Sequence, residues 1–389
     1  NSELVFEAIY PTEYQTVRCE HCGQDVQFAS WHGAPITESG HYYLPEDNFV
    51  AQIHVKNGKT LCFDLNGHII SGDTRAFYTA SGGNATLNIM DSSAAQTGRV
   101  QGCAGAIGAA AGYGGGAIVV DKTNTLNLYG GTIDATDGTE VAIDTEAVAD
   151  GHAKNLTANM YAGTVKNGSD SYGGNIMLRN HVVFNMYGGT IECGKAATSG
   201  GNIAISGGAT MQMKDSTVGN GFANYHGGNI YIGSASVTME ASKIEAGVAR
   251  VRGNNLYGST SATGLTITDC DLPGDIGYVG ENLTLSGQVK IGLLNHGLRL
   301  AYGADTAVAD ASGLESGSEI YVVAKHTFST PGADADYFKG AIRTVITPSQ
   351  EGLVATYAEN GALGGYCPHC NQQVVWKSFD IKTCVLETC

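Results

Sequence analysis

Phe184 to Ser206 read FNMYGGTIECGKAATSGGNIAIS. Three short runs alternate apolar and polar residues, and glycine pairs or polar residues break them. Alternation over three to five residues is the signature of half-buried β-strands. Gly-Gly permits the positive-φ turns that reverse such strands tightly. The same phrases recur along the chain: LNLYGGTI at 126–133 and ANMYAGTV at 158–165, then YGGNIMLRN at 172–180, SGGNIAIS at 199–206 and HGGNIYIG at 226–233. One apolar position serves as a ruler: Ile89, Leu128, Met160, Met186, Met213, Met239, Ile267 and Leu285, with steps of 39, 32, 26, 27, 26, 28 and 18.

A period near 26 selects the architecture. Leucine-rich repeats require an L-x-x-L-x-L phrase that is missing, and a propeller blade needs about 40 residues. No stretch of useful length carries a 3.6-residue apolar period. Three short strands and three turns fit the period, which predicts an all-β, right-handed parallel β-helix with three-strand coils of about 26 residues. The longer steps are expected to carry loops thrown out at 96–116 and 134–153.

Equal positions in stacked coils lie about 4.8 Å apart. Asn175, Asn202 and Asn229, with Asn254 or Asn255 next, therefore read as a ladder of side-chain amides that satisfy one another. Tyr129, Tyr161 and Tyr187 read as a second stack. A sugar platform is the functional alternative for these tyrosines, and a structural ladder is the favoured reading.

Composition narrows the function classes. The 389 residues include 55 Gly but only 7 Pro, which excludes collagen. Hydrophobic residues make up 42%, enough for a packed core. A net charge of −16 with 21 Lys+Arg argues against nucleic acid as a partner. No apolar run of 18 residues exists, so no membrane insertion by a helix is expected. The opening NSELVFEAIYPTEY lacks the basic start and apolar run of a leader, so the chain either stays inside the cell or begins within a longer one.

The two ends carry matching modules, CEHCGQDVQFASW at 19–31 and CPHCNQQVVWKSF at 367–379, 348 residues apart. The division expected from this is a preceding unit's tail at 1–18, a CxHC module at 19–39, the β-helix at 40–318, a β cap at 319–366 and a second module, opening the next unit, at 367–389. Cys19 and Cys22 form half of a tetrahedral metal site by spacing. Cys367, Cys370, Cys384 and Cys389, as C-x2-C-x13-C-x4-C, come close to zinc-ribbon spacing. The N-terminal module has Ile36 and His41 where the other has Cys384 and Cys389, with His21 and His32 also near. Zinc, disulfides and idle thiols all remain open for these cysteines. Cys62, Cys103, Cys193 and Cys270 are scattered and read as small packing residues.

CxHC, then HYYL, LCFDLNGHIISG, NLYGGTI and the GGNI coils resemble, over nearly the whole chain, large repetitive surface proteins of anaerobic gut bacteria. The resemblance implies a secreted or wall-associated, adhesin-like β-helix, placed outside the cell. The expected partners are copies of itself or adjacent tandem units, joined where Cys19 and Cys22 of one meet the four C-terminal cysteines of another. Host or dietary glycans are the second class of partner. A polysaccharide-cleaving enzyme is the third reading. Its best acidic cluster is Asp144, Glu146, Asp150 and His152, with Asp134 and Asp137 beside it and Arg179, His181, Arg250 and Arg252 as the basic candidates. A solvated acidic loop is the favoured account of that cluster.

Overall fold

The computed structural model describes residues 11–320 except 51–52, 73–74, 80–82, 102–116, 121–122, 136–142, 145–155, 275, 292–297, 301–308 and 316–317; beyond 320 it describes six short strands. Side chains are described to residue 291, and afterwards only at isolated positions. The chain is a parallel β-helix. Its longest sheet orders 14 strands, beside sheets of 11, 10 and 4 strands. One coil shows the construction. Val183–Met186 lies in the longest sheet and Thr190–Glu192 in the second. Lys195–Ser199 lies in the four-stranded sheet and Ile203–Ile205 in the third. The three-strand coil thus gains a fourth strand in the four turns of the helix that contribute to the small sheet.

The ruler positions form one inward column. Ile89 pairs with Leu128, Leu128 with Met160, Met160 with Met186 and Met186 with Met213, each in parallel register. All are at most 4% exposed. Two residues earlier, Leu87, Leu126, Ala158, Phe184 and Met211 form a parallel inward column. Strand alternation puts both columns in the core and everything between them outside. At the first turn Gly189 has φ +86°, and a Cβ there would sit 2.7 Å from the Gly163 carbonyl oxygen of the previous coil. Glycine is required by backbone conformation and by coil-to-coil approach together.

Part of each segment expected to loop out is regular strand. Arg99–Gln101, inside the first expected loop, is a regular strand paired with Ile69–Ser71 and Thr132–Asp134. Thr132–Asp134 and Ile143–Asp144 likewise keep their rungs. Parallel backbone pairing holds those residues in the coil.

An antiparallel hairpin, Tyr14–Cys19 with Gln24–Ser30, closes the N-terminal end and continues the longest sheet through Ala29↔Tyr42. Trp31 follows it. Its ring meets Phe63 edge-on at 5.5 Å, is 4% exposed and covers the end of the core. Its Nε1 donates to the Ala34 carbonyl at 2.7 Å. Near the C-terminus five short strands form a separate antiparallel sheet. There Gly364↔Val375, Gly365↔Val374 and Tyr366↔Gln373 repeat, 348 residues on, the pairs Thr16↔Gln27, Val17↔Val26 and Arg18↔Asp25. The repeated sequence module has a repeated backbone register.

Candidate metal centre

The parallel register brings four ligands to the N-terminal end of the longest sheet. His41 pairs with Cys62, one coil further on. Phe28 precedes His41 in the same outward column, and the two rings meet edge-on at 5.1 Å. The hairpin turn folds over this column and adds Cys19 and Cys22. A reversal at Gly23, with φ +69° and its N–H donating to the Cys19 carbonyl at 2.8 Å, shapes the turn. The Cys22 N–H donates to Cys19 Sγ at 3.4 Å, and Cys22 Sγ lies 3.2 Å from His41 Nε2. One ligand atom from each of Cys19, Cys22, His41 and Cys62 falls within 4.8 Å of the others.

The donor set suits a soft or borderline divalent ion. Zinc with three thiolates and one imidazole needs ligand separations of about 3.5–3.8 Å, so a contraction of about 1 Å at the widest pair completes a tetrahedron. Burial raises the Cys62 thiol pKa strongly, and the charge of Cys19 adds to it. Burial and then Cys19 raise Cys22. Burial, then His21, lowers His41, which favours the neutral imidazole that a metal binds. Three packed thiolates need a cation to offset them, which a bound dication supplies. Four protein ligands would leave a bound ion no open coordination position, the pattern of a site that holds strands together.

One expectation changes here. Cys62, read as a packing residue, belongs to the ligand group because the coil register stacks it on His41. Cys19 and Cys22 thus lie beside His41 and Cys62 of the same chain. Ile36 packs against the core, and His32 lies 3.8 Å from Glu46. Cys367, Cys370 and Cys389 lie outside the described residues, and of Cys384 only its strand, Thr383–Leu386, is described.

The ligand column continues as a polar ladder. Asn88, Asn127, Asn159 and Asn185 follow Cys62 in register. Each Nδ2 donates to the Oδ1 one coil earlier: Asn185 to Asn159 at 2.9 Å, Asn159 to Asn127 at 2.8 Å and Asn127 to Asn88 at 2.7 Å. The last amide, Asn88, donates to the Leu61 carbonyl at 3.2 Å and contacts Cys62 Sγ at 3.5 Å. An amide chain of one polarity therefore ends on a candidate metal ligand, the kind of outer partner that orients and tunes a site. Its signal in the sequence is the Asn immediately before four ruler residues, in TLNI, TLNL, TANM and VFNM.

The other candidates fall as follows. Asn175 donates to Asn202 and Asn202 to Asn229, both at 2.8 Å, and Asn229 to Asn255 at 3.4 Å. Tyr129 and Tyr161 stack at 4.8 Å and 3°, and Tyr161 and Tyr187 at 5.3 Å and 23°. Rings stacked this closely use their faces on one another. Asp134 is buried, accepts from Asn167 Nδ2 at 2.9 Å and lies 3.7 Å from both Arg99 and Lys166. It is thus a coil residue in an ion-pair network. Ile143–Asp144 is a strand, while Asp137, Glu146, Asp150, His152 and Cys103 lie outside the described residues. Cys193 is half-buried at a positive-φ turn. Cys270 is buried, its thiol pushed up to about 11 by burial. No described helix is long and apolar enough to cross a membrane. No family model matches the chain, and no curated protein or solved structure matches it.

Proposed function

We infer that this chain is a structural, adhesin-like rod, one unit of a tandem surface protein displayed outside the cell, with zinc stapling its N-terminal hairpin to the first coils. The observation that carries this reading is the Cys19–Cys22–His41–Cys62 group, which ties a hairpin turn to two successive strands at the end of a solenoid. Terminal coils need such closure, because a bare end exposes core and strand edges. Four thiol and imidazole donors match structural zinc best among common ions. The tandem part rests on the hairpin register repeated 348 residues on. The surface location rests on the resemblance of the coil phrases alone. Ten coils give a rod of about 50 Å, a suitable spacer between adjacent units.

Native mass spectrometry of the full chain, with elemental analysis, tests the reading. The wild type should carry one more zinc than the Cys62→Ser chain. Chelation should remove it and raise hydrogen exchange in 14–64. Equal metal content in the two chains, or a Cys19–Cys22 disulfide in freshly isolated protein, would defeat the zinc staple. Random rather than end-to-end association of linked units in electron micrographs would defeat the rod.

A further inference from the structure

The four-stranded sheet departs from the rest of the surface in chemistry. Its strands are Ser169–Tyr172, Lys195–Ser199, Phe222–Ala223 and Val248–Ala249, stacked in parallel. Ala196 and Ala223 face inward and are buried. The outward side holds large apolar groups: Tyr225 is 54% exposed, Val248 54%, Val251 50% and Tyr172 36%. These are four of the eight large hydrophobic residues that the described chain exposes. Scattered exposed apolar residues need no explanation, but a set on and just beyond the strands of one small sheet does.

The charge on this face is inverted as well. The whole chain has 37 Asp+Glu, yet residues 194–202, 221–229 and 247–255 contain none. They contain Lys195, Arg250 and Arg252. Arg250 lies over the Phe222 ring at 5.5 Å, and Arg179 over Tyr172 at 5.9 Å. His226 stacks on Tyr257 at 4.4 Å, and Tyr257 on Tyr231 at 6.2 Å. Among the described residues, three acidic groups border the face: Asp170, Glu245 and Glu192, which ends the strand just before Lys195. Asp170 is half-buried on the first strand and feels the charge of Arg179, and Glu245 is held by Lys243 at 3.0 Å.

We propose that this face binds an acidic polysaccharide, one whose sugar rings lie on Tyr225, Phe222 and the flanking valines while its carboxylates meet Arg250 and Lys195. Three features select that ligand. The face is cationic on a chain of net charge −16, so it favours an anion over a neutral partner. Aromatic groups with guanidinium ions nearby suit sugar rings, which present C–H groups on one face and carry carboxylates at their edges. Successive coils lie about 4.8 Å apart, so Lys195, Phe222 and Val248, in register, offer an extended chain a charge, an aromatic ring and an apolar group in turn. The strand amides are already paired with the neighbouring coils, which leaves side chains to do the recognition.

Affinity electrophoresis of the full chain tests this with three probes: polygalacturonate, its fully methyl-esterified neutral form and poly-glutamate. Polygalacturonate should retard the wild type, and retardation should weaken with salt. Tyr225→Ala and Arg250→Glu should each weaken binding by about tenfold or more, as anchor residues do. Lys214→Glu, on the longest sheet, should leave binding unchanged. Hydrogen exchange should show protection of 222–226 and 248–252 by the polymer, a readout independent of the variants. No retardation of the wild type, or variants that bind like it, would overturn the proposal. Equal, variant-sensitive retardation by poly-glutamate would assign the face to an acidic protein and overturn the sugar assignment.

Discussion

Replacing Asn202 with alanine tests whether the inner amide ladder holds the coils together. Asn202 is fully buried, and its side chain makes four hydrogen bonds. Its Oδ1 accepts from Gly194 N–H and from Asn175 Nδ2, both at 2.8 Å. Its Nδ2 donates to the Gly219 carbonyl at 2.7 Å and to Asn229 Oδ1 at 2.8 Å. At about 1 kcal/mol of net stability each, their loss sums to about 4 kcal/mol. Three of the four partners keep another bond: Asn175 Nδ2 with Glu192, Asn229 Oδ1 with Gly221 N–H, and the Gly219 carbonyl with Cys193 N–H. Gly194 N–H is the group left without a partner, so its amide should lose hydrogen-exchange protection most. Solenoids unfold in segments, so exchange across 190–230 is a better measure than one global midpoint. Asn202→Asp sharpens the test. It keeps the acceptor for Gly194 but turns a carboxylate oxygen toward two acceptors. Its folded pKa should then rise above the unfolded value of about 3.9. Stability should be closest to wild type below that value and fall as pH rises through the folded pKa. A loss under about 1 kcal/mol for Asn202→Ala, or an Asn202→Asp chain equally stable at pH 4 and pH 7, would refute the ladder as a stabilising element.

Three further substitutions have defined outcomes. Asp64 is buried and its carboxyl is shifted up, chiefly by burial, while it accepts from Ser92 and Asn66 N–H. Asp64→Asn retains an acceptor without the charge, so it should equal or exceed wild-type melting temperature at pH 7, with the gap narrowing as the wild-type carboxyl protonates. Gly189→Ala meets a positive φ and the Gly163 carbonyl at 2.7 Å, so urea unfolding should show a loss of about 2 kcal/mol or more. Asn88→Leu removes the amide from Cys62, and competition with a chromophoric chelator should show metal affinity lower by about 10- to 100-fold while the inner ladder stays protected.

The repeat phrases by themselves determined the coil. A 26-residue period with alternating strands and glycine pairs leaves few architectures, and the ruler residues Ile89 to Leu285 had to face the same way because strand alternation is strictly local. Cys19 and Cys22 were legible as half a metal site for the same reason, since their spacing is local. Cys62 was not. It lies 40 residues beyond Cys22 in the sequence, and only the parallel register that stacks it on His41 brings it under the hairpin. The outer Asn column needed the same step: each Asn precedes a core residue, and its partner is a coil away. The cationic face arises likewise, from three carboxylate-free segments that the small sheet lays side by side. Sequence fixes what neighbours within a strand can do. Which distant residues become neighbours is decided by the stacking of coils, where one residue of register shift would turn every outward group inward.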